Sequence, residues 1–177
     1  LQAWLVERRI LEEEFETGVE LMLDEAQLEP WVSARRAIRR RDIPAVGVFG
    51  GEGIDLVARV RAMNLAPEAY EMLKPLLRQY AVSIDEVVLA RNAFLVEAVP
   101  VRSTTLAEGN WARMQSIIRD EAVVRTRLRD VNVQWFEHVV AALPLENQAP
   151  FLDELRKDAF GSTWSTSRVD RMVEAAM

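Results

Sequence analysis

The sequence predicts an all-α protein in which long antiparallel helices form a helical-hairpin bundle, with no β-sheet. Apolar residues recur every three or four positions through several long runs, which is the spacing of one helix face. No segment alternates polar and apolar residues for more than a few positions, so none is typical of a strand. The length of 177 residues and the 50% hydrophobic content suit a single helical domain over residues 1–177.

Residues 1–41 are predicted to form one long N-terminal helix, the segment most able to protrude from the domain. Pro30 is the expected position of a kink or break, and Gly18 is a weak point. Glutamates crowd the first part of this run, and an arginine cluster at residues 35–41 closes it, which suits the helix dipole. We interpret the cluster as pairing with carboxylates, with nucleic acid or anionic lipid headgroups as the alternative.

The second part of the chain, residues 54–177, is predicted to contain repeat-bearing helical hairpins after a glycine-rich loop at residues 42–53. A short helix is expected over residues 54–63. The strongest periodicity follows, over residues 67–99, with Arg91 as its one polar member. Pro75 is expected to bend that helix or shift its start.

Proline and a capping pattern predict where the later helices begin and end. Pro100 is expected to end the helix of residues 67–99, and Thr105 with Glu108 has the spacing of a capping box for the next one. A long run over residues 111–142 then ends before Pro144. Shorter helices are expected over residues 145–160 and 168–177.

A four-residue phrase occurs twice, 78 positions apart, at residues 65–68 (Leu-Ala-Pro-Glu) and 143–146 (Leu-Pro-Leu-Glu). The apolar pattern after each copy also matches, because Leu73 falls opposite Phe151 and Leu77 falls opposite Leu155. Self-similarity of this kind indicates related structural units. We therefore expect two helix starts of the same type and the same buried positions after each.

Composition excludes several classes of function. The chain has no cysteine, which rules out disulfides and thiolate ligands, and its net charge of −6 argues against nucleic acid as a partner. His138 is the only histidine and is interpreted as a surface or hydrogen-bonded structural residue, so no metal site is predicted. The glycine-rich loop lacks the Lys-Ser or Lys-Thr pair of a phosphate-binding turn. We predict a non-enzyme without a cofactor.

The repeated phrase and the residues around it resemble the Spy-like family of periplasmic helical proteins, which carry a twice-repeated LTxxQ motif. The resemblance covers roughly residues 60–160, from Leu65 through Tyr80 and from Asp130 through Phe151. Neither copy keeps the Thr and Gln of the family motif. The resemblance implies a periplasmic or otherwise exported protein, and the family includes ATP-independent chaperones and metal-responsive sensor domains.

The N-terminal run is the predicted partner-binding segment, because tryptophan is enriched at binding hot spots and this run carries more apolar surface than a small domain covers. Trp111 and Trp135 are instead interpreted as core residues, since each shares the apolar phase of its helix. The predicted surface consists of Trp4, Leu5, Leu11, Phe15, Val19, Met22, Leu23 and Trp31.

The predicted function is that of a non-enzymatic interaction protein of the cell envelope. It acts either as a chaperone-like binder or as an accessory subunit of a larger assembly, with a protein partner or a second copy of itself. No apolar run reaches the roughly 18 residues of a membrane span, although attachment near a membrane is compatible with the sequence. The alternative is a periplasmic ligand- or metal-responsive sensor domain, for which His138 is the only conventional ligand.

Overall fold

The computed structural model describes residues 2–41, 43 and 49–160, and within them the side chains of all but residues 2, 3, 5, 6 and 9. The predicted helix at 168–177, Trp164 and half of the glycine-rich loop, residues 42 and 44–48, lie outside the described residues. The described part of the chain is all-α and 86% helical, without any strand. These described residues form six helices, α1 (Gln2–Met22), α2 (Glu25–Arg41), α3 (Leu56–Ala62), α4 (Pro67–Ala107), α5 (Trp111–Ala142) and α6 (Leu145–Ala159).

The prediction of one helix over residues 1–41 is wrong, because the chain breaks at residues 23–24 and not at Pro30 or Gly18. The reason is a reciprocal cap at the start of α2. The Gln27 backbone N–H donates to Asp24 Oδ1 at 2.9 Å, and the Asp24 backbone N–H donates to Gln27 Oε1 at 3.1 Å. Such a capping box fixes a helix start. Pro30 lies inside α2 without ending it.

The prediction that Pro100 ends a helix, with Thr105 and Glu108 capping the next, is also wrong, because α4 continues to Ala107. A proline inside a helix costs roughly 3 kcal/mol. Burial on both sides of the proline opposes this cost, since Ala98 and Thr105 are both buried. Pro75 likewise lies within α4 and does not shift its start from Pro67.

The turn after α4 is formed by Gly109 and Asn110. Gly109 has a φ of +65°, its N–H donates to the Leu106 carbonyl at 3.2 Å, and the Asn110 N–H donates to the Thr105 carbonyl at 3.1 Å. This pair of bonds is a Schellman motif, which terminates a helix. The Asn110 side chain then accepts from the Arg113 N–H at 3.1 Å and caps α5.

The repeat predicts both helix starts and buried positions correctly. α4 and α6 each begin at the third letter of their phrase, at Pro67 and Leu145. Leu73, Leu77, Phe151 and Leu155 are all buried. The end of α5 at Ala142 also matches the predicted end before Pro144. The periodicity of α4 is confirmed as well, since Arg91 is buried with its apolar neighbours.

The described fold divides into two compact units, each taking segments from two parts of the chain. Unit 1 comprises Leu1–Ile43 and Tyr80–Leu128, and unit 2 comprises Pro44–Gln79 and Arg129–Met177. The prediction of a single domain stays a prediction. The largest buried apolar side chains of unit 1 are Tyr80, Ile84, Leu128 and Val88, and those of unit 2 are Phe151, Leu56, Leu73, Val60 and Val139.

Unit 2 is organised around one buried amide. The Asn132 side chain is 2% exposed, and its Nδ2 donates to the carbonyl oxygens of Gly51 at 2.8 Å and Ile54 at 3.2 Å, with a longer contact to that of Glu52. These carbonyls belong to the turn that precedes α3. Asp55 then caps α3, because its Oδ1 accepts from the backbone N–H groups of Val57 and Ala58 at 3.0 and 3.2 Å.

Candidate protein-interaction surface

α1 carries a narrow row of exposed apolar side chains. Trp4, Leu11, Phe15 and Met22 are 56%, 58%, 64% and 79% exposed. At about 100° per residue they lie within about 40° of one another around the helix axis, and they extend along about 27 Å of its length. We call these four residues the α1 stripe. Arg8 and Gly18 complete a row of alternating steps of three and four, the spacing of a coiled-coil seam.

The other predicted members of the surface differ in exposure. Val19, Leu23 and Trp31 are half-buried, and the side chain of Leu5 lies outside the described residues. Trp31 on α2 packs edge-on against Phe15, with ring centroids 6.3 Å apart. The structure therefore brings Phe15 and Trp31 together and leaves most of the Phe15 ring accessible. Sequence reasoning missed Ile10 and Leu21, which are also exposed.

Apart from the edge contact of Phe15 with Trp31, the α1 stripe stays exposed because the ion pairs with α2 involve a different face of α1. Arg35 on α2 pairs with Glu20 at 2.5 Å and Glu16 at 3.4 Å, and Arg39 lies 3.7 Å from Glu16. The two glutamates lie on the side of α1 away from the middle of the stripe, by helical spacing. Charged side chains thus hold α1 in unit 1, and the apolar ones remain available to a partner.

The arginine cluster of α2 pairs with carboxylates, as predicted. Arg39 forms a two-pronged bond to Asp85 on α4, with N–O distances of 2.8 and 2.7 Å, and Arg36 lies 3.6 Å from the same carboxylate. The hydrogen bond to Asp85 raises the pKa of Arg39 above its ordinary value, although burial opposes this. Bidentate pairs of this kind are the strongest hydrogen bonds that arginine makes.

Arg8 connects the α1 stripe with the acidic residues beside it. Its guanidinium lies 5.8 Å from the centre of the Trp4 ring, within range of a cation–π contact. Its Nε donates to Glu12 at 2.6 Å. Both contacts are at the surface, so we assign them a positioning effect on Trp4 and little stability.

An open groove of about 550 Å³ adjoins α1 in unit 1. Its α1 side is charged, with Arg8, Glu12 and Glu16. The α4 side is mixed, since Leu89 and Val96 lie there together with Arg91 and Asn92. A groove lined by both charged and apolar side chains suits an amphipathic segment better than a small apolar ligand.

The structure also places three residues of α5 for which the sequence predicted a role, Trp111, Trp135 and His138. Trp111 is 67% exposed, so the interpretation as a core residue is wrong, because the first turn of α5 follows the exposed Gly109–Asn110 turn. Trp135 is half-buried and packs against His138, with ring centroids 5.7 Å apart. His138 is exposed and its Nδ1 donates to the Gln134 carbonyl at 2.8 Å, which confirms a hydrogen-bonded surface histidine.

No group of three or more histidine, cysteine, aspartate or glutamate side chains in the described residues is arranged to hold a metal ion. Among the same residues, no helix is both long and apolar enough to cross a membrane.

The chain matches no protein-family model, no curated protein and no solved structure. The resemblance to the Spy-like family therefore stays a prediction, and the α1 stripe is the feature from which a function is argued.

Proposed function

We propose that this protein is a non-enzymatic interaction protein that binds other proteins through the α1 stripe. The observation that carries the proposal is the exposure of four large apolar side chains on one helix face. Burying such a side chain contributes roughly 1.5–3 kcal/mol, and stripes of this spacing are how amphipathic helices meet partners. We place the protein in the cell envelope on the strength of the Spy-like resemblance alone.

Two modes of action fit this proposal. A chaperone-like binder would cover apolar segments of many unfolded clients, whereas an accessory subunit would bind one folded partner. The stripe is narrow and regularly spaced, which favours a helical partner over irregular segments. Exposure alone supports either mode, so the first experiment tests whether the stripe binds clients at all.

The test is the aggregation of a heat-denatured client protein, followed by light scattering, with the double variant Leu11→Ala/Phe15→Ala. Alanine preserves the helix because it has the highest helix propensity, so the change removes apolar surface without unfolding α1. We expect a chaperone-like protein to lose most of its protection in this variant. The matched control is Ile118→Ala/Val123→Ala, which removes exposed apolar surface from α5 instead.

Equal protection by the variant and the wild type would contradict a role for the stripe in client binding. Absence of protection by the wild type would leave the accessory-subunit mode. That mode is tested by crosslinking to envelope proteins before and after the same double substitution, and partners retained equally by both proteins would refute it.

A further inference from the structure

The charges beside the α1 stripe specify the chemistry of its partner. Glu7 and Glu14 lie one heptad apart along the same edge of the stripe, and both are exposed. Neither forms an ion pair with another residue that the structure describes. Glu12, on the other edge, is held by Arg8 at 2.6 Å. The stripe is therefore apolar in the middle and carries two uncompensated acidic groups along one side.

We propose that the α1 stripe binds an amphipathic helix of a partner protein, and that lysine or arginine flanks the apolar face of this helix. This inference rests on the proposed function. Residues that flank a helical seam choose the partner through their charges. A basic flank would pair with Glu7 and Glu14 without disturbing the Arg8–Glu12 pair. The apolar face would cover Leu11 and Phe15 at the centre.

The same charges disfavour two other occupants. A second copy of α1 presents glutamate at the flanking positions, so like charges would face each other in a pairing of two stripes. An anionic membrane surface would be repelled by the acidic edge in the same way. A basic helix is the occupant for which both the apolar and the charged parts of the surface are complementary.

The test uses two dye-labelled helical peptides of about 21 residues with the same leucine seam, one flanked by lysine and the other by glutamate. Binding to the full chain is measured by fluorescence anisotropy. We expect the lysine peptide to bind at least about tenfold more tightly at about 50 mM salt. The ratio should shrink at about 0.5 M salt, because the screening length falls from about 10 Å at 0.1 M to about 3 Å at 1 M.

Charge reversal on the protein gives the decisive comparison. Glu7→Lys/Glu14→Lys should reverse the preference between the two peptides. The matched control, Glu86→Lys/Glu97→Lys, makes the same change of charge at exposed positions of α4 and should leave the preference unchanged.

Three results would overturn the inference. Equal affinity for both peptides, lost in Leu11→Ala/Phe15→Ala, would refute a basic partner and leave the proposed function intact. Binding of neither peptide would refute the helical occupant, and the client assay would then decide the proposed function separately. Self-association in sedimentation that disappears in Leu11→Ala/Phe15→Ala would show that a second copy covers the stripe.

Discussion

The two compact units pair their buried polar groups in different ways. In unit 2 the neutral amide of Asn132 donates to the carbonyls of Gly51 and Ile54. In unit 1 ionised groups take this place, because Asp85 accepts from Arg39 and Glu121 pairs with Arg102 and Arg125. Unit 1 also carries the exposed α1 stripe.

This difference has a physical consequence for each unit. A neutral amide bond is insensitive to salt and to acid, whereas ion pairs weaken when salt screens them or when the carboxylate is protonated. Unit 1 pairs charged side chains between its helices beside its apolar interior, and it leaves the α1 stripe exposed. Unit 2 satisfies the buried amide of Asn132 with backbone carbonyls, although it also buries the side chain of Glu52 and pairs Arg59 with Asp158.

The largest expected effect is that of Asn132→Ala, which removes the donor to the carbonyls before α3. Leaving buried carbonyls unpaired costs about 1–3 kcal/mol for each. We therefore expect the free energy of unfolding to fall by about 2–4 kcal/mol, by the same amount at low and high salt. Urea denaturation measures it, with the exposed Gln134→Ala on the same helix as the control. A loss below about 1 kcal/mol would contradict the role assigned to this amide.

The next largest effect is that of Asp85→Asn in unit 1. The substitution keeps the shape of the side chain but removes the charge that Arg39 and Arg36 face. We expect the free energy of unfolding to fall by about 2 kcal/mol, since charged hydrogen bonds contribute about 1.5–3 kcal/mol. High salt should reduce this loss. Asp120→Asn, at an exposed position on α5, is the matched control and should change little.

Two carboxylates should respond to pH in opposite directions. Burial tends to raise the pKa of Glu121, but the hydrogen bond from Arg125 and the charges of Arg102 and Arg125 outweigh it and lower the pKa. Its stabilisation is therefore present at neutral pH and lost as the pH falls through that lowered pKa. We expect Glu121→Gln to cost about 1 kcal/mol at pH 7 and progressively less below about pH 4.

Asp158 of unit 2 provides the opposite case. Burial raises its pKa despite the pairing with Arg59. A raised pKa means that its contribution is present at low pH and lost as the pH rises through it. The loss of folding stability caused by Asp158→Asn should accordingly grow as the pH falls. Denaturation at a series of pH values measures this loss. Parallel pH profiles for Asp158→Asn and Glu121→Gln would contradict these assignments.

The smallest effects concern two glycines of unit 1 that respond to the same substitution with opposite signs. Gly109 has a φ of +65°, so Gly109→Ala should cost about 1 kcal/mol through backbone strain alone. Gly18 lies inside α1 with open space around it, so Gly18→Ala should stabilise by about 0.5–1 kcal/mol. Thermal unfolding of both variants checks the pair, and a shared sign would refute the explanation.

Periodicity predicts the fold class and the buried face of α4, because each depends on the sequence of one helix at a time. The break at Asp24 was missed although its signal was present, since Asp24 and Gln27 have the spacing of a capping box. The passage of α4 through Pro100 could not be predicted in this way. It depends on the burial of Thr105 against other parts of the fold, which opposes the local cost of the proline.

The candidate surface was predicted in part. Trp4, Leu11, Phe15 and Met22 follow from helical spacing, but their exposure depends on which face of α1 the arginines of α2 bind. The exposure of Trp111 was not predicted. Helical spacing places Trp111 on the same face of α5 as buried residues, but it does not show whether a neighbouring helix extends far enough to cover this position. The Spy-like resemblance contributes an expectation about location and none of the contacts described for α1.

The Gly109–Asn110 turn has a further consequence for changes in chain length. Asn110 ends α4 with its backbone N–H and begins α5 with its side chain, so a single residue belongs to both caps. Deleting or inserting one residue there would turn α5 by about 100° about its own axis. Met114 and Ile117 would then leave the interior. A change in the length of this turn therefore rotates α5 relative to α4, whereas a substitution keeps the two helices in register.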